Sequence, residues 1–176
     1  QVVDDFVTPG NWPLIASTAA ALNGEGPWAV IDACDQVQAK TAMSAWAVSI
    51  GVPFVTVGAA GGKRAAHKVE VGDLAEVTHD PLLAQLRYRL RKHHAGARTG
   101  GMGVSCVFSR ESVAPPDAAC GVGAPDGSLN CHGYGSVVSV TATFGFCAAG
   151  WVLNALANPA KKTRRPSGAA FSDAII

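Results

Sequence analysis

The chain contains no Cys-x-x-Cys pair, no G-x-G-x-x-G or Walker phosphate loop opening a helix, and no charged residue between positions 137 and 157. The first absence removes the usual spacing of a four-thiolate zinc site. The second removes the common nucleotide fingerprints. No secretory leader is expected at this start: the chain opens on Gln1 rather than Met, and Asp4 and Asp5 stand where a leader would be basic and then apolar. The expectation is a cytoplasmic fragment whose upstream portion is absent. Five cysteines, Cys34, Cys106, Cys120, Cys131 and Cys147, are odd in number and irregular in spacing, which argues against a disulfide framework. Charged residues make up only 15% against 48% hydrophobic, so a disordered chain is disfavoured and 176 residues suffice for one domain with a sizeable core.

What is present alternates between strands and helices. Val2-Val3 reads as a strand, and Thr8-Pro9 as a cap and first turn leading to Trp12, Ile15, Ala19 and Leu22 at helical spacing, closed by Gly24 and Gly26. Residues 29–33 read as a strand. Ala39, Met43, Trp46, Ala47 and Ile50 then form a helical stripe ended by Gly51 and Pro53, before a strand at Phe54-Val-Thr-Val57. This order predicts parallel α/β units and a doubly wound sheet. His67 to Val71 predicts a strand turning back antiparallel. Pro81 opens a helix with Leu82 or Leu83, Leu86 and Leu90 on one side, and Val104 to Ser109 supplies a last strand. The Gly58-Ala-Ala-Gly-Gly62 run is a plain turn or a loop where backbone approaches a ligand. Residues 112–130 read as a flexible loop able to fold over a site.

Net charge is +1, but nine of the 14 Lys and Arg fall in two clusters. One is Arg87, Arg89, Arg91, Lys92 and Arg98 with no acid between them; the other is Lys161, Lys162, Arg164 and Arg165. Such patches suit a polyanion, although a solvated helix face and a basic tail are the ordinary explanation. Val137 to Ala157 is long enough to cross a bilayer, and the Lys and Arg that follow fit a positive-inside pattern. Ser139, Thr141, Thr143 and Asn154, and the small-residue row Gly135, Ser139, Thr143, Cys147, favour instead a helix buried in the core or at a dimer interface.

The segment Ala29-Val-Ile-Asp-Ala-Cys-Asp35 delivers an acidic residue to the carboxyl end of a strand just before a helix, where open α/β sheets hold their ligands. Asp35 there either caps the following helix or ligates the Mg²⁺ of a nucleotide. Lys40, one turn further on, is either a phosphate contact or a surface lysine. Cys131, in Asn130-Cys-His-Gly-Tyr-Gly135 before the long helix, is the best candidate for a reactive thiol with His132 as base; a free cysteine is also often a buried hydrophobe. Cys34 and Cys106 read as packing. His67, His79, His93 and His94 show no metal-ligand spacing.

Val3-Asp-Asp-Phe-Val-Thr-Pro9, Ile31-Asp-Ala-Cys-Asp35, Gly58-Ala-Ala-Gly-Gly62, Asp80-Pro-Leu82, Cys106-Val-Phe-Ser109 and Val140-Thr-Ala-Thr-Phe-Gly145, in that order, resemble the tRNA threonylcarbamoyladenosine dehydratases. These belong to the ThiF and MoeB-like, ubiquitin-activating superfamily. The resemblance runs to about residue 157 and corresponds to the C-terminal two-thirds of such an enzyme, the segment 158–176 reading as a flexible basic tail. It implies the later part of a Rossmann-like, mostly parallel sheet with antiparallel additions and flanking helices, without the family's N-terminal phosphate loop. The fragment is therefore expected to be inactive alone. It further implies ATP-dependent ring closure of the threonine carboxylate at tRNA position 37 through adenylation, Asp35 as the Mg-nucleotide aspartate, and Arg87, Arg89, Arg91 and Lys92 as phosphate contacts to tRNA. A homodimer is expected by the same resemblance. A sulfur-transfer protein partner is conceivable, and no residue identifies one.

Two other readings stay open. A sulfur-carrier adenylyltransferase shares the fold and chemistry but commonly carries paired Cys-x-x-Cys motifs. A non-enzymatic assembly module would use the small-faced helix.

Overall fold

A computed structural model describes residues 2–24, 26, 28–114 and 135–158. Four strands form one sheet in the order β1-β2-β4-β3, with β1 at Val30–Asp32, β2 at Phe54–Val57, β3 at Val69–Asp73 and β4 at Ser105–Ser109. β1, β2 and β4 run parallel, pairing Ile31 with Val55 and Thr56 with Cys106, whereas β3 returns antiparallel with Val71 opposite Val107. This is the mostly parallel sheet with an antiparallel addition that the sequence predicts.

Period-two alternation sends successive strand residues to opposite faces. Phe54, Cys106 and Phe108 join one core with helix α1 (Trp12–Asn23), α2 (Val37–Ile50) and α3 (Pro81–His93). Val55 and Val107 face the other side and pack under α4 (Val138–Ala157). Because both faces are covered at the centre of the sheet, β2 and β4 read as near-continuous apolar runs, whereas the edge strand β3, Val-Glu-Val-Gly-Asp, alternates. On α3, Leu82, Leu83, Leu86 and Leu90 are all buried, and Asp80 caps it by accepting from the Leu83 N–H at 3.0 Å.

Several expectations are corrected. Val2 and Val3 pair with no strand and are 91% and 51% exposed. α1 starts at Trp12 rather than Pro9, because Thr8 and Asn11 bond each other reciprocally, Asn11 N–H to Thr8 Oγ1 and Thr8 N–H to Asn11 Oδ1, in a turn ahead of Pro13. Residues 66–68 form a 3₁₀ turn before β3 begins. α4 rests on the sheet through Val140, Phe144 and Ala148, a stripe of three residues spaced four apart beside the predicted row of small residues; Gly135 and Ser139 of that row are exposed. By length and composition α4 could cross a membrane, yet its inner stripe lies on the sheet while Phe146 and Leu153 are 79% and 68% exposed.

Candidate active site

Two charged knots sit at the carboxyl ends of the parallel strands. In the first, Asp32 closes β1 at 2% exposure, facing fully buried Lys40 on α2 and Thr56 on β2. Lys40 Nζ donates to Asp32 Oδ2 at 3.1 Å, to Thr56 Oγ1 at 3.0 Å and to the Val57 carbonyl at 2.8 Å, which uses all three of its protons. Thr56 Oγ1 donates in turn to Asp32 Oδ2 at 2.7 Å, and Asp32 Oδ1 accepts from the Cys34 N–H at 3.1 Å and from its thiol at 3.0 Å. A buried ion pair persists only when such additional bonds satisfy the remaining lone pairs and protons. The knot ties α2 and the end of β2 to the turn that follows β1.

Asp35 stands at the end of that turn. It is exposed and makes no hydrogen bond or ion pair with the described residues. The cap of α2 is Gln36, without any side-chain bond, so Asp35 is not the helix cap that one reading of the sequence offered. Lys40 also departs from expectation. It lies neither at the surface nor free to meet a phosphate, because its position beside the apolar stripe of α2 carries it under the sheet edge, where Asp32 takes its charge. The signal that could have revealed this was Asp32 itself, a charge inside an apolar strand that demands a buried partner.

The second knot joins the glycine loop to α3 and β4. Asp80 Oδ2 accepts from the Ala59 N–H at 2.9 Å and lies 3.7 Å from fully buried Lys63 Nζ, which donates to the Ser109 carbonyl at 3.2 Å. Burial lowers the Lys63 pKa from its ordinary value, partly countered by Asp80. Asp80 presses so closely on the loop that a Cβ on Gly58 would overlap its Oδ2, which is why glycine stands there. Further along, Glu111 accepts from the N–H groups of Arg64 and Ala65, and these bonds hold its carboxyl below the usual range.

Both described thiols at the sheet are held in the protonated, weakly nucleophilic form. Burial, reinforced by the Asp32 charge, pushes Cys34 up to about 12, and burial likewise raises Cys106. Cys131 and His132 lie outside the described residues. Of the basic residues on α3, Arg87 donates through Nη1 to the carbonyls of Leu74 and Val77, and Arg91 through Nε to Ala97; with Lys92 they border one cavity, which Arg89 does not line.

No protein-family model matches the chain. Its sheet is that of a ThiF-type, Rossmann-like fold, with the free carboxylate and the glycine loop at the strand ends where such sheets bind ligands. Within that class the chain matches, as a part, the tRNA threonylcarbamoyladenosine dehydratases. It is 39% identical to the Escherichia coli protein over 161 residues, covering 86% of this chain and 58% of that one. It is 32% identical to the Haemophilus influenzae protein over 159 residues, covering 89% and 58%. The E. coli dehydratase in complex with AMP superposes with a TM-score of 0.72 at 37% identity over 89% of this chain and 56% of that one. Its ATP complex gives 0.73 at 36% identity over 93% and 59%. The chain thus spans a little over half the length of these relatives. The sulfur-carrier alternative is not favoured by these matches.

Proposed function

We propose that this chain carries part of an ATP-dependent tRNA threonylcarbamoyladenosine dehydratase, and that Asp35 belongs to its nucleotide site. A carboxylate is a poor acyl donor because its oxygen leaves badly. Attack of the threonine carboxylate on the α-phosphorus of ATP expels pyrophosphate and converts that oxygen into part of AMP, a good leaving group. Ring closure of the modified side chain then displaces AMP, for a net loss of one water.

The observation that carries this reading is the contrast between a fully satisfied Asp32–Lys40–Thr56 knot and the exposed, unpartnered Asp35 it holds at the strand end, in a chain similar to proteins whose E. coli member binds AMP and ATP. Asp35 fits Mg²⁺ in particular: its oxygens are hard donors with no competing partner among the described residues. No group of three metal-binding side chains gathers among those residues, so nucleotide phosphates would complete the coordination. Once bound, the ion would neutralise phosphate charge. The protein's own contribution is to aim Asp35, through the knot, at one place. Lys40 acts here as a positioning residue.

A homodimer of this chain would use the outward face of α4, where the apolar side chains of Phe146 and Leu153 are exposed. Phe146→Glu would then turn a dimer into a monomer in sedimentation, while a dimer that survives it would reject this face.

The test of the activity is nucleoside mass spectrometry of threonylcarbamoyladenosine-bearing tRNA after incubation with ATP, Mg²⁺ and the full-length protein. The expected outcome is a mass loss of one water that depends on ATP and vanishes in Asp35→Ala. Undiminished conversion by Asp35→Ala would remove Asp35 from the mechanism.

A further inference from the structure

The outer side of α3 carries an open cavity of about 530 Å³ lined by Ala84, Arg87, Tyr88, Arg91, Lys92 and Arg98. Four of its six lining residues are cations, and none of them pairs with a carboxylate among the described residues, where the ion pairs are Lys40–Asp32, Lys63–Asp80 and Arg110–Glu70. Two of the guanidinium groups are nevertheless pinned. Arg87 Nη1 lies 3.0 Å from the Leu74 carbonyl and 2.8 Å from that of Val77, and Arg91 Nε lies 3.0 Å from that of Ala97. A neutral carbonyl orders a guanidinium without cancelling its charge. The site therefore holds ordered, uncompensated positive charge, which lowers the cost of meeting an anion.

The return of the chain after α3 packs tightly on the helix and borders this open cavity through Arg98. The Gly96 N–H donates to the Leu90 carbonyl at 3.0 Å, and a Cβ on Gly96 would sit 2.9 Å from Met102 Cε and 3.0 Å from the Leu90 carbonyl carbon. A side chain there would push on both, so glycine suits a loop that lies this close, and Arg98 further along it lines the same cavity as the helix. Complementing the helix dipole accounts for Arg91 and Lys92 in the last turn. It accounts for neither Arg87 and Arg98 nor an aromatic ring at the centre of the cluster.

That ring is Tyr88, 62% exposed, with Lys92 Nζ 5.6 Å from its centroid on one face. An exposed ring flanked by cations is the arrangement on which unpaired nucleobases stack while basic side chains take the adjoining phosphates. We propose that Tyr88, with Arg87, Arg91, Lys92 and Arg98, forms a cradle for one unpaired nucleotide of the RNA substrate: the base lies on the free face of Tyr88 and its flanking phosphates meet the cations. The proposal rests on the tRNA-modifying reading above and deepens it, since it assigns the RNA a contact on α3 that is separate from the nucleotide site at the strand ends. A duplex, whose base faces are covered by stacking, cannot use the ring.

The test is fluorescence anisotropy of the full chain with a labelled RNA hairpin bearing an unpaired loop, beside a fully paired RNA duplex of the same length, with no ATP present. Tyr88→Leu is expected to weaken hairpin binding about tenfold and leave duplex binding unchanged, while Tyr88→Phe retains the wild-type affinity. Lys92→Ala combined with Arg98→Ala should weaken both RNAs and flatten the dependence of log K on log salt by between about one and two units. Neither residue holds a backbone carbonyl in the fold, so these variants keep it. Wild-type binding of the hairpin with Tyr88→Leu unaffected, or equal losses on hairpin and duplex, would overturn the cradle alone. A wild-type chain that binds neither RNA would overturn the cradle and count against the tRNA reading as well.

Discussion

Asp32 and Asp35 stand three positions apart at the end of one strand and have opposite fates. Asp32 is 2% exposed, with both its oxygens occupied by Lys40, Thr56 and Cys34; Asp35 is exposed and occupied by nothing among the described residues. The same functional group is thus a strut at one position and a displayed, unpartnered carboxylate at the other. Burial decides which, because a carboxylate taken out of water must be saturated whereas one left in water stays available.

The comparison is broken most severely by Asp32→Ala. It leaves Lys40 charged and buried without its partner, at a cost of about 3–5 kcal/mol and a fall in Tm of roughly 10 °C. Asp35→Ala should change stability by no more than about 0.5 kcal/mol, as for an ordinary surface substitution. Calorimetry on both variants checks this, and similar losses would mean that Asp35 too is structural. Replacing the whole pair, Asp32→Leu with Lys40→Met, should recover most of the lost stability while disturbing the turn that presents Asp35.

At the second knot, Gly58→Ala drives a methyl group into Asp80 and should cost about 1–3 kcal/mol in denaturant unfolding. A variant as stable as the wild type would show that the Asp80 side chain can move aside without loss.

The smallest effect is chemical. With a native pKa raised from 9.0 to about 12, the Cys34 thiol keeps its proton at pH 8, and its alkylation in the folded protein should be slower than in the unfolded chain by a factor of roughly a hundred or more. Because the folded value lies above the unfolded one, this group's contribution to stability is fully present below pH 9.0 and is lost as pH rises toward about 12. Peptide mapping after timed iodoacetamide exposure reads the rate. Equal rates in the folded and unfolded chain would mean that the turn after β1 is open.

Much of the architecture was legible without coordinates. Phe54-Val-Thr-Val57 has the bounds of β2, Pro81 opens α3, and the leucines of that helix are the ones buried. These follow from local chemistry: proline sets the first turn, and apolar spacing sets the inward face. Asp35 could be singled out for a similar reason, since a strand end before a helix is recognisable in one dimension. The role of Lys40 was not legible. Its partners Asp32, Thr56 and Val57 come from separate strands, and no spacing along the chain says that β2 lies beside β1 at that register. The same holds for α3, where sequence supplied a row of arginines, but only the fold pins Arg87 to Leu74 and Val77, Arg91 to Ala97, and sets Arg89 apart from their cavity. Periodicity and turn chemistry act between neighbours in the chain and so are written in it. Which charges are buried, paired or left free depends on distances between segments, and those exist only once the sheet and its helices have packed.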